Sequence, residues 1–154
     1  MKFATVIAVM LSLPAVVATA RTATVGAPEV IDGETLRLGG TTFRLHGIDA
    51  PDLAQRCEIR GRAYDCGLVS MTALMDLVAG VEISCVARPA ATGGPIAATC
   101  FAAGYDLSEG MVHTGWALAM PRHGTKYAAV EATARKAKRG LWQGKFTLPW
   151  EWRP

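Results

Sequence analysis

Histidine and aromatic residues are scarce in this chain, and cysteines of the C-x-x-C kind are missing. Among 154 residues there are three histidines and four cysteines, and Phe, Trp and Tyr together make up 7%. A structural zinc site draws four ligands from closely spaced Cys and His. Here the histidines all lie outside the cysteine segments, so the cysteines are read as disulfide partners, with zinc as the competing reading. A strong excess of one charge is also lacking: 16 Lys and Arg against 13 Asp and Glu give +3. Bulk charge alone therefore does not make this a nucleic-acid-coating protein. The positive residues gather late, at Arg122, Lys126, Arg135, Lys136, Lys138, Arg139, Lys145 and Arg153. They form either a phosphate-attracting face or a solvated helix and tail. With no internal repeat, low-complexity tract or linker, the length fits one domain around one core.

The long apolar run stands at the beginning. Met1 to Ala20 carries one lysine, then apolar and small residues, and closes on Ala18-Thr19-Ala20 before Arg21. This reads as a signal peptide over residues 1–20 with a small-x-small cleavage site. It is too short to span a bilayer and lacks a basic stop signal, so no stable membrane anchor is expected after cleavage. The mature protein is then secreted or periplasmic, where thiols oxidise. Cys57, Cys66, Cys85 and Cys100 allow three connectivities. The segment from Cys85 to Cys100 reads as a hairpin turning at Thr92-Gly93-Gly94, which sets those two cysteines opposite each other at a spacing that suits a bridge. Cys57–Cys66 follows by elimination.

Apolar residues alternate before Asp32-Gly33 and again after Gly39-Gly40, giving strand, bend, strand, turn, strand with carboxylates at the strand ends. Leu68, Met71, Leu74, Met75 and Val78 keep helical spacing, with Asp65 as a cap and Gly80 as a stop, and predict a core-facing helix. Val81 to Ala87 and Ile96 to Phe101 read as strands. Asp106-Leu107-Ser108-Glu109 has capping-box spacing for a short helix ending near Gly115. Trp116 to Ala119 reads as a short strand. A last helix runs from about Tyr127 to Arg139 and is closed by Gly140, with Leu141-Trp142 folding back in a Schellman-type contact.

The chemistry concentrates in Val30-Ile31-Asp32-Gly33-Glu34-Thr35 and in Arg44-Leu45-His46-Gly47-Ile48-Asp49-Ala50-Pro51-Asp52. Clustered carboxylates beside a guanidinium are the inventory of a phosphodiester-cleaving metal site. The two segments resemble the signature of the staphylococcal nuclease-like (thermonuclease) family, V-x-D-G-D-T followed by R-L-x-G-I-D-A/T-P-E. The run from Asp106 to Ala117 and the Ala137-Lys138-x-Gly140-Leu141-Trp142 ending are similar to that family as well, so the likeness covers residues 24 to 146. It implies an α+β fold, a five-stranded OB-fold barrel with about three packed helices. The domain is expected over residues 21–146, with residues 147–154 as a tryptophan- and proline-containing tail.

The resemblance also implies roles. Asp49 matches a metal-binding aspartate, the backbone carbonyl of Ala50 matches a further oxygen ligand, and Glu34 stands where the family has another aspartate. An oxygen-only set of this kind suits Ca²⁺. Arg44 matches a phosphate-binding arginine, with pairing to Asp49 or Asp52 as its structural alternative. Asp52 replaces the family's water-orienting glutamate and is one methylene shorter. Asp32 reads as a turn residue. The second arginine of the family falls, counted from Cys85, on Pro95, which has neither charge nor side-chain donor. Arg88, diagonal to position 95 across the hairpin, is a candidate substitute. A solvated hairpin arginine is the alternative.

These departures describe an exported thermonuclease-family protein whose Ca²⁺-dependent cleavage of nucleic acid is weakened or lost, a pseudoenzyme by attrition. Its expected partner is single-stranded DNA or RNA. The alternatives are a non-catalytic OB-fold module binding nucleic acid, sugar or peptide in the periplasm or envelope, and an envelope interaction protein using its tail. Trp142 reads as core. Trp150 and Trp152 either stack on bases, pack against the barrel or meet a partner.

Overall fold

Gly39 and Gly40 both sit at positive φ, 51° and 85°, and make the two-residue turn that folds β3 (Thr35–Leu38) onto β4 (Thr41–Leu45). In this computed structural model, which describes residues 22–88 and 94–152, that hairpin lies at one side of a seven-stranded sheet. The predicted signal peptide and most of the Thr92-Gly93-Gly94 turn lie outside the described residues. The sheet runs in the order β1 (Ala23–Gly26), β8 (Ile83–Ala87), β9 (Ile96–Ala102), β4, β3, β2 (Glu29–Val30), and β10 (Tyr105–Asp106) extends β9. The parallel pairing of β4 with β9 closes the order, and the other neighbours are antiparallel. Two of the seven strands, β2 and β10, are only two residues long. The result is a strongly curled half-barrel with three helices, the expected OB-type α+β architecture. Two small ladders complete it: β5 (Ile48–Asp49) with β11 (Leu118–Ala119), and β6 (Cys57–Ile59) with β7 (Arg62–Tyr64).

Period-two alternation decides what is inside. Leu36, Leu38, Phe43, Leu45, Ile83, Ala98 and Cys100 point inward and are buried, while Arg37 and Arg44 take the outward positions between them. α2 (Leu107–Thr114) caps this core with Leu107, Met111 and Val112, all fully buried. Burial of each such side chain contributes about 1.5–3 kcal/mol. The Asp106 carboxylate accepts from the backbone N–H of Ser108 and Glu109 at 2.9 and 3.4 Å, and the helix ends on Gly115 at φ 79°, both as the sequence predicts.

α1 (Cys66–Leu77) buries only part of the face its apolar spacing predicts. Leu74 and Val78 are buried as predicted, but Leu68 and Met75 are about half exposed, and Gly67 and Ser70 are buried beside Leu74. Close approach explains this. A Cβ on Gly67 would stand 1.8 Å from the Asp52 carbonyl oxygen, and Ser70 Oγ donates to the Trp116 carbonyl at 2.7 Å. The small face packs where longer side chains cannot. Asp65 holds the cap position without a side-chain hydrogen bond.

α3 (Ala128–Lys136) stops earlier than the glycine suggests. Lys138 adopts φ 52°, and Arg139 N–H donates to Ala134 O while Lys138 N–H donates to Arg135 O, the Schellman pattern two residues before Gly140. Leu141 N–H donates to Gly115 O rather than back to its own helix. Gly140 and Gly115 lie back to back, and a Cβ on Gly140 would meet Gly115 O at 2.4 Å.

Both disulfides of the sequence reading are present. Cys85 faces Cys100 across β8 and β9 with Cα atoms 4.1 Å apart, and Cys57 joins Cys66 at 5.5 Å. The second bridge anchors a smaller core with Leu118 and Leu141, on which Trp116, Trp142, Phe146, Leu148 and Trp150 pack. The end of the chain is stitched there by paired backbone bonds between Glu58 and Lys145 and by Gln55 Nε2 donating to Thr147 O at 2.7 Å. No helix among the described residues is long and apolar enough to cross a membrane.

Candidate functional site

The turn before β3 delivers the first carboxylate. Asp32 Oδ1 accepts from Glu34 N–H at 2.9 Å, an Asx turn, as expected for Asp-Gly. A Cβ on Gly33 would lie 2.1 Å from Ser70 Oγ, so only glycine lets this turn close against α1. Glu34 is thereby buried at the sheet rim, where Leu45 N–H donates to its carbonyl at 2.7 Å. Asp49 ends β5, held opposite Leu118 of β11, and is also buried.

Arg44 points outward from β4 toward both. Its Nη2 lies 2.5 Å from Glu34 Oε1 and 2.9 Å from Asp49 Oδ1, while Ala50 N–H donates to Glu34 Oε2 at 3.2 Å. One guanidinium thus serves two buried carboxylates, with Asp32 close by. The Glu34 carboxyl stands raised from 4.5 to about 8, chiefly by burial, with Arg44 pulling it down and Asp49 and Asp32 adding to the rise. The site is short of positive charge.

These groups line a cavity of about 460 Å³ together with Asp52, whose exposed carboxylate accepts from Ala54 N–H at 2.9 Å. The side chains to which the family likeness gives metal, phosphate or water-orienting roles, Glu34, Asp49, Arg44 and Asp52, meet in this one place, with Ala50 beside them. Arg122, Pro149, Trp150 and Trp152 line the same cavity; the sequence offered Arg122 to a phosphate-attracting face and the two tryptophans to base stacking, but joined none of them to these carboxylates. Arg122 follows β11, and its approach depends on the β11 to β5 pairing, which no local pattern reveals. Pro95 is exposed just ahead of β9 and stays outside the cavity. Arg88 also stays outside, its Nε donating to Thr99 Oγ1 at 2.9 Å.

For a cation the donor chemistry fits only in part. Glu34, Asp49 and the Ala50 carbonyl are hard oxygen donors of the kind Ca²⁺ takes. Yet among the described residues no group of three or more His, Cys, Asp and Glu is arranged to hold a metal ion. Both oxygens of Glu34 already have partners. Any ion here would take most of its shell from water or from a ligand's own oxygens.

A family model described as staphylococcal nuclease homologue matches residues 42–144. The chain belongs to the staphylococcal nuclease homologue family. Over 125 residues it is also 31% identical to the "Succinoglycan biosynthesis protein ExoI" of Rhizobium meliloti (strain 1021). That match covers 79% of this chain and 65% of that protein, so the chain spans less than two thirds of its relative's length. The nuclease-type match takes in Arg44, Asp49, Ala50 and Asp52; Glu34 and the tail tryptophans fall outside it.

Proposed function

We propose that this chain is an exported nuclease-family protein that binds single-stranded nucleic acid by its phosphodiester and hydrolyses it slowly with the help of Ca²⁺. The observation that carries the reading is Arg44, held by Glu34 and Asp49 at the floor of a cavity that also contains Asp52. The ion pairs use Nη2 alone, and among the described residues Nε and Nη1 have no partner, which leaves three N–H donors for phosphate oxygens. Glu34, Asp49 and the Ala50 carbonyl would hold Ca²⁺, which supplies neutralisation of the charge that develops on phosphate.

In hydrolysis a water oxygen bonds to phosphorus as the bond to one ester oxygen breaks. That oxygen leaves with the electron pair and takes a proton from solvent, and the water's proton passes to the Asp52 carboxylate. Asp52 is a methylene shorter than the family's glutamate. A displacement near 1 Å costs about a hundredfold in rate, which supports slow turnover. Trp150 and Trp152, which line the same cavity, bring aromatic surface that suits unstacked bases and favours single strands. The paired cysteines favour an oxidising compartment, reached through residues 1–20 as export signal, with residues 21–146 as the domain and 147–154 as the tail.

A second reading has its own support: indoles beside carboxylates also suit sugar rings, and the relative named above is a succinoglycan biosynthesis protein. Cleavage of a labelled single-stranded oligonucleotide by the oxidised protein in Ca²⁺ and in chelator, beside binding of an acidic oligosaccharide, separates the two. Calcium-dependent cleavage supports the first reading. Saccharide binding without oligonucleotide binding replaces it with the second.

A further inference from the structure

Arg44 and Arg122 are the two residues that line both the carboxylate cavity and a smaller cavity of about 160 Å³ behind it, whose walls include His46, Ala97 and His123. They therefore flank the same ridge. Their electrostatic situations are opposite. Arg44 is neutralised by two buried carboxylates, whereas Arg122 makes no ion pair with any described residue and has Met120 Sδ as its recorded hydrogen-bond partner, at 3.9 Å. The cavity otherwise carries Asp32, Glu34, Asp49 and Asp52, a charge that repels phosphate. Arg122 is the uncompensated cation facing it.

Its placement is structural. Met120 N–H donates to Gly47 O at 2.9 Å, fixing the segment beside β5, and Pro121 starts the single 3-10 turn of Pro121–His123 that presents the arginine. Arg122 is exposed and lines the cavity.

We infer that Arg122 is the second phosphate-binding arginine of this site, gripping the phosphodiester across from Arg44 and doing what position 95, a proline, cannot. The inference rests on the phosphodiester reading above. It displaces Arg88, which is committed to Thr99 on the strand beyond.

The test is anisotropy of a short, fluorescein-labelled single-stranded oligodeoxynucleotide with cleavage-resistant phosphorothioate linkages, read at several salt concentrations. Cleavage of the ordinary oligonucleotide is followed alongside. Arg122→Ala is expected to weaken binding at least about tenfold and to lower the slope of log affinity against log salt by about one. Its cleavage rate should fall by about 10³. Arg122→Lys should keep the salt slope and recover only part of the affinity, because a point charge replaces the two-pronged fork. Arg88→Ala should behave as wild type, and Pro95→Arg should add little. All four sites are at the surface or half-buried, and matching melting curves check the fold. Wild-type affinity and cleavage in Arg122→Ala, with Arg44→Ala inactive, would overturn the role of Arg122 and leave the site reading standing. A wild-type protein that binds no oligonucleotide overturns both.

Discussion

Glu34 and Asp49 hold one and the same nitrogen: Arg44 Nη2 lies 2.5 Å from the first and 2.9 Å from the second. Two buried carboxyl groups share a single guanidinium, and a second cation would take the place of the proton that burial holds on Glu34 up to about pH 8. Isothermal calorimetry should therefore detect Ca²⁺ binding in the weak range of about 10⁻⁴–10⁻³ M, and the heat should vanish in a Glu34→Ala/Asp49→Ala double variant. Equal heats for the two proteins remove the cation from the account.

Gly67 links fold to function. With its Cα packed against the Asp52 carbonyl, an added methyl has to push the Asp52 loop away from α1. Gly67→Ala is expected to cost about 1–3 kcal/mol in urea unfolding and to reduce cleavage more than it reduces oligonucleotide binding. Unchanged stability and turnover would show that the loop yields freely.

Alkaline pH attacks a different part of the molecule. Asp106 caps α2 and also accepts from Lys126 Nζ at 2.5 Å and from Tyr127 Oη at 2.9 Å. The hydrogen bond to Asp106 raises Lys126 above its usual 10.5, and burial raises Tyr127 above its usual 10.0. In both cases the folded state keeps its proton longer than the unfolded chain does. The stabilisation is full below pH 10 and is lost as pH climbs through the raised values. Melting temperature should ease downward to about pH 8 as the raised Glu34 carboxyl loses its proton, stay level from there to about 10 and fall beyond it, with a weaker fall above 10 in Tyr127→Phe. At neutral pH, Tyr127→Phe should cost about 1–3 kcal/mol, because a partner of the buried Asp106 carboxylate is removed. A melting temperature that is flat to strong alkali contradicts this.

The tail gives a fourth expectation. Trp152→Ala should weaken binding of single-stranded oligonucleotide about fivefold to a hundredfold, the range for loss of one stacked base, and leave duplex binding almost unchanged. Equal losses on single and double strands would assign the indole to packing alone.

Much of this was legible in the residues because it was local. The Asp106 cap, the Gly39-Gly40 turn and the Cys85 to Cys100 register each depend on a few neighbouring positions, and the structure has them. The inward face of α1 was legible only in part: Leu74 and Val78 are buried as their spacing indicates, but the closeness of Asp52 and Trp116 selects Gly67 and Ser70 over Leu68 and Met75. The end of α3 was misplaced for a similar reason, since Lys138 takes the left-handed position that glycine usually marks. Of the cavity, the wall built from adjacent motifs was readable. That Arg122 and the tail tryptophans join it was not, because their approach is set by the pairing of β11 with β5 and by the tail packing on Cys57, Cys66 and Leu118.

The most direct measurement of the central claim is gel-resolved cleavage of single-stranded DNA by the disulfide-bonded protein lacking residues 1–20, with Ca²⁺ and with chelator, beside Arg44→Ala. The account predicts slow, calcium-dependent cleavage that Arg44→Ala loses by about 10³-fold or more. Cleavage that is indifferent to calcium and to Arg44, or no binding and no cleavage at all, would contradict it.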